Sequence, residues 1–186
     1  MESRGSGDAM GAAPLVMVGG VGIAASMLLP ALAKAKAKAN AMKSANNASQ
    51  LWKGLYGYAD DNDGRLPPAD RWCDAILREV GTERVFMSPQ DPTMQDDAPG
   101  KRSSYALNAA VAGKNLNELA QDTVLVFECP VGWNGTGGLV DIQRARAQRE
   151  SYGSLLRIAV TMVDGSTQQA NFGELGRFNW TGQRRR

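Results

Sequence analysis

The 186-residue chain contains no histidine, so the commonest general base and the commonest zinc ligand are both missing. Its serines and cysteines therefore have no imidazole to activate them, and no Ser-x-x-Lys spacing stands out. No catalytic residue is assigned, and an enzyme is not expected. Cys73 and Cys129 are too few for a structural zinc site. They could form one disulfide in an oxidising compartment, or stay as two buried thiols. Asp122, Glu128, Asp141 and Asp164 have no spacing that forces them together, and they read as solvated positions. Asp61, Asp63 and Gly64 fit part of a calcium loop. Its first ligand position, however, falls on Ala59, and its last falls on the short Asp70 instead of a bidentate glutamate. Gly20, Gly22 and Ala25 have the spacing of a dinucleotide turn, but the acid needed about 20 residues later is absent, the next being Asp60. The glycine-rich VGWNGTGG, Val131 to Gly138, lacks the Lys-Ser/Thr ending of a phosphate loop and reads as a surface loop. Neither metal nor cofactor is expected.

The elements that would carry these residues are set by one long stretch. From Ala9 to Ala59 there is no acidic residue, and from Ala9 to Ala33 there is no charge at all. As a helix rising ~1.5 Å per residue, Ala9–Ala33 would span ~37 Å, more than the ~30 Å hydrocarbon core of a bilayer. Leu15, Val16, Val18, Ile23, Leu28, Leu29 and Pro30 make it a membrane-anchor candidate, with a buried soluble helix as the other reading. Pro30 is expected to kink it near its end. Lys34, Lys36, Lys38 and Lys43 follow as a basic collar suited to lipid headgroups. A net charge of +2 argues for no nucleic-acid partner. Ala41, Ala45, Ala48, Trp52, Leu55 and Ala59 then recur in steps of three and four, which keeps one helix face apolar; Trp52, Leu55 and Ala59 are expected to pack on strands. Asp60 to Gly64 stops the helix, with Gly64 as a left-handed terminator.

The remainder reads as one ordinary domain. Residues 1–8 form a polar terminus, 9–33 the apolar helix half, 34–63 the basic and amphipathic half, 64–182 an α+β domain, and 183–186 a basic tail. Arg71–Val80 predicts a short helix with Trp72, Ile76 and Val80 on one face. Val85–Gly100 predicts a loop, and Ser104–Ala112 a short strand followed by a helical turn at Asn115–Ala120. TVLVFE, Thr123 to Glu128, is the clearest strand. Arg144–Arg149 is helical or irregular, and Leu156–Val163 pairs with Thr167–Phe172 across an Asp164-Gly165 hairpin turn. A long helix on a small antiparallel sheet follows.

Several of these segments together resemble the type IV pilin and type II secretion pseudopilin group of bacterial envelopes. LLPALAKAKAKA at Leu28–Ala39 is similar to the junction where those proteins pass from membrane helix to exposed helix. LWKGLYGYADDNDGRLPP at Leu51–Pro68 is similar to the helix end of one large subgroup. MSPQDP at Met87–Pro92, SYALN at Ser104–Asn108, TVLVFE, GWN at Trp133, and VDG at Val163–Gly165 match in order. The chain departs from the pattern at four places. DAMGAA, Asp8 to Ala13, stands where the processing signal would fall, with Ala13 at the filament-register acid; Ser154 replaces a histidine and Ser88 a cysteine. The resemblance implies a pilin-like fold and a single-pass anchor in the bacterial inner membrane, with the domain in the periplasm or outside the cell. It also implies a non-enzymatic role, with membrane lipid and other pilin-like subunits or secretion machinery as partners. The charge count opposes this, since Arg4 before the span against four lysines after it would keep the domain in the cytoplasm. A signal-peptidase site after Ala31-Leu32-Ala33 gives the alternative, a released extracytoplasmic binding module.

Overall fold

The computed structural model describes residues 19–91, 100–148 and 157–183. Leu15, Val16, Val18, Ser154 and the arginines of the tail lie outside them. The chain divides between Ala35 and Lys36 into two units. Helix α1, Gly19–Asp60, is 42 residues long and includes Pro30 without being ended by it. Gly20, Gly22 and Ala25 lie within this helix and not on a strand-to-helix turn. In the first unit Leu28 and Leu29 are each 66% exposed and Leu32 67%. Among the described residues no helix is long and apolar enough to cross a membrane; the expected span also takes in 9–18, which are not among them.

In the second unit Ser44, Ala48, Leu51, Leu55 and Ala59 are buried at steps of three and four, the seam of a helix packed on one side. Burial of Leu51 and Leu55 contributes about 2 kcal/mol each. Ala48, Leu55 and Ala59 lie on the seam as the sequence pattern suggested, but Ser44 and Leu51 take the places expected for Ala45 and Trp52, which are only partly buried. Leu51 is its centre, while Trp52 is half-buried at the edge, where its indole donates to the Val163 carbonyl at 3.0 Å. α1 ends where the Asp-rich turn was expected to stop it. Asp63 (φ 55°) and Gly64 (φ 76°) are left-handed, and the Gly64 amide donates to the Ala59 carbonyl. Helix α2, Trp72–Val80, buries Trp72, Cys73 and Ile76 beside α1.

Strands β1 (Tyr105–Asn108), β2 (Val124–Glu128), β3 (Thr136–Gly137), β4 (Ile158–Met162) and β5 (Thr167–Ala170) form one sheet in the order β3-β1-β2-β4-β5. The architecture is α+β as expected, but the sheet is mixed and not purely antiparallel. β3, inside the stretch expected to be loop throughout, pairs parallel with β1, Leu107 opposite Thr136. It is short enough, and rich enough in glycine, to carry no strand signal of its own. Helix α3 (Leu139–Gln148) and a 3₁₀ turn at Phe172–Arg177 follow. That turn takes Phe172 away from the strand predicted to include it.

Alternation along the strands builds two cores. Tyr105, Leu107, Leu125, Val126 and Ala159 face α1 and α2, whereas Ala106, Val124, Phe127, Ile158 and Val160 lie on the other side with Ile142 of α3 and Leu175. In β2 the alternation slips. The register shifts between Val124 and Val126, so Leu125 and Val126 both join the helix side and Phe127 the other. The shift sends Glu128, next in line, toward α1.

Candidate functional site

Glu128 was expected in solvent, yet it is 6% exposed and faces the helix seam, where Ser44 occupies an otherwise apolar position. The bulge in β2 decides which face it takes, because unbroken alternation would have put Glu128 on the side of the second core. Its Oε2 accepts from Ser44 Oγ at 2.8 Å, the Ala159 amide at 3.1 Å and Gln90 Nε2 at 3.2 Å. Its Oε1 contacts the Ser88 hydroxyl, and Ser88 Oγ lies 3.1 Å from Ser44 Oγ. The Tyr105 hydroxyl, 3.0 Å from Ser44 Oγ, closes the other side. One carboxyl thus ties together α1, the Ser88–Asp91 turn, β1, β2 and β4.

Burial pushes the Glu128 carboxyl above the ordinary glutamate range, and the nearby Asp91 adds to this. The Ser88, Ala159 and Ser44 donors act the other way. Ser88 is placed to donate to Oε1 and Ser44 to Oε2, so each carboxyl oxygen has a hydroxyl donor. Burial likewise raises the Tyr105 phenol, with the Glu128 charge second. Ser88 is 2% exposed and also accepts from the Gln90 amide, so this serine–carboxyl pair is arranged to hold elements together.

Above this knot a cleft of about 410 Å³ opens between α1 and the Glu83–Phe86 turn, lined by Lys43, Asn46, Asn47, Gln50, Arg84 and Met87 among others. Asn47 Nδ2 donates to the Met87 carbonyl at 2.9 Å and fixes the two walls.

The remaining candidates do not converge. Asp122 accepts from Asn179 Nδ2, Asp141 from the Gly138 amide, and Asp164 from the Ser166 amide and hydroxyl of its own turn. Asp164 follows β4 at the end away from Glu128, since Val124 opposes Met162 and Phe127 opposes Val160. Among the described residues no group of three or more His, Cys, Asp or Glu could hold a metal. Cys73 and Cys129 are not joined. They belong to the cores on opposite sides of the sheet, and burial pushes the Cys73 thiol up to about 12.

The GWN motif caps a helix. Asn134 Oδ1 accepts from the Cys73 amide at 2.8 Å and the Asp74 amide at 3.3 Å, supplying the cap that Arg71 does not. Asp74 in turn is held to about 2 by Lys101, then Asn134 and Trp133.

No protein-family model, curated protein or solved structure matches this chain.

Proposed function

We propose that the chain is a membrane-anchored, pilin-like protein with a structural or accessory role in a type II secretion or type IV pilus-like assembly, its globular unit exported from the cytoplasm. The observation that carries this reading is the asymmetry along α1. Ala48, Leu51, Leu55 and Ala59 are buried in the core of the second unit, whereas Leu28, Leu29 and Leu32, ahead of the lysine collar, are two-thirds exposed. Apolar side chains at that density in water are a liability unless lipid or neighbouring subunits cover them. A non-enzymatic role is supported by the absence of histidine and by the commitment of the Ser88 and Ser44 hydroxyls to Glu128.

Removing residues 1–33 tests the anchor. The truncated chain should be soluble and folded, and the full-length chain should pellet with membranes and need detergent for release. A full-length protein that stays in the soluble fraction refutes the anchor. The division at Ala35/Lys36 supports one other reading, cleavage after Ala33 to release the compact second unit. A mature protein beginning at Lys34 would select it.

A further inference from the structure

We propose that the cleft between α1 and the Glu83–Phe86 turn binds an anionic sugar unit: a hydroxyl-rich ring carrying one phosphate or carboxylate. Lys43, Asn46, Asn47 and Gln50 follow at steps of three, one and three, so one face of α1 supplies one wall; Arg84 and Met87 supply the other. The volume, about 410 Å³, is that of a small-molecule site and exceeds what a simple ion needs.

The charge pattern selects the ligand. Lys43 and Arg84 come from separate elements, and among the described residues no acid lines the cleft. Among the described residues neither side chain has an ion pair, and the Asn46 and Gln50 side chains have no hydrogen-bond partner. An arginine fork with an ammonium group suits a phosphate or carboxylate, and free amides, which donate and accept at once, suit sugar hydroxyls. The Glu128 carboxyl is sealed beneath Ser88 and engaged by the Ser44, Ser88, Gln90 and Ala159 donors. The walls are preset, because the Asn47–Met87 bond fixes their spacing before any ligand arrives.

The same headgroup chemistry occurs on soluble glycans and on polyol phospholipids, so the test carries both. Calorimetric titration would use the full-length chain in a polyoxyethylene detergent, which presents no sugar. The probes are glucose 1-phosphate, glucuronate, glucose, inorganic phosphate, and the short-chain lipids dihexanoyl phosphatidylinositol and dihexanoyl phosphatidylcholine. Saturable binding of glucose 1-phosphate or glucuronate, tighter than glucose or inorganic phosphate, is expected. Lys43→Ala or Arg84→Ala should weaken it about tenfold or more, with unchanged melting temperature since both side chains are exposed. Gln50→Ala should narrow the preference for glucose 1-phosphate over inorganic phosphate. Tighter binding of phosphatidylinositol than of glucose 1-phosphate, with the same dependence on Lys43 and Arg84, supports the site and assigns the lipid source. Equal affinity for inorganic phosphate and glucose 1-phosphate, binding indifferent to both cations, or no saturable binding overturns the proposal.

Discussion

Glu128 shows how one side chain can join five elements and make stability depend on pH. Its pKa is higher in the folded than in the unfolded chain, so the folded state holds the proton over the interval between the two values. The stabilisation is complete below the ordinary value of 4.5 and is lost as pH rises through the raised one. Melting temperature should therefore fall with rising pH over that interval, and Glu128→Gln, which mimics the protonated acid, should flatten the profile. Glu128→Ala should cost about 2–4 kcal/mol below pH 4.5 and less as pH rises, because it takes from the Ser44, Ser88 and Ala159 donors the carboxyl they share. An E128Q profile as steep as the wild type, measured by thermal melts across pH, would show that another group controls it. Asp74 has the opposite sign. Its contribution is present above 3.8 and lost as pH falls toward about 2, and it is small because the carboxylate is exposed.

At the scale of elements, two contacts fix how the helices sit on the sheet. Asn134 caps α2 from a loop far away in sequence, and its left-handed φ of 57° suits asparagine. Asn134→Gly keeps that backbone conformation but removes the cap, and should destabilise the fold by about 1 kcal/mol in chemical denaturation. α2 also comes so close to α1 that a Cβ at Gly54 would lie 2.8 Å from Val80 Cγ1, so Gly54→Ala should destabilise despite the better helix propensity of alanine. Trp52→Ala, at the half-buried edge of the seam, should cost about 2 kcal/mol; a full core residue would cost about 3–5. A denaturation midpoint unmoved by Trp52→Ala would mean that the indole does not hold the Asp164-Gly165 turn. α1, α2, β2 and the β4–β5 hairpin were legible in the sequence because period and turn chemistry mark them locally, whereas α3 begins five residues before the stretch read as helical or irregular. β3 was not, since two residues paired to a distant strand carry no period. Nor was the Glu128 site, because it depends on a bulge that reverses which face the residue points to. The retrospective signal was a lone acid ending an apolar strand together with a lone serine in an apolar helix seam, Glu128 and Ser44.

For the whole molecule, two charge arguments conflict. Lys34, Lys36, Lys38 and Lys43 after the apolar stretch outweigh Arg4 before it, so the positive-inside rule keeps the second unit in the cytoplasm. The ordered resemblance from Leu28 to Gly165 implies the reverse, and on it rests the proposal of export. Export is the central claim, and topology decides it. In bacterial cells expressing the full-length chain, a membrane-impermeant protease should degrade the unit from Lys36 onward once the outer barrier is opened, while a cytoplasmic control protein stays intact. Protection of that unit until the inner membrane is lysed would contradict the account and favour the charge count.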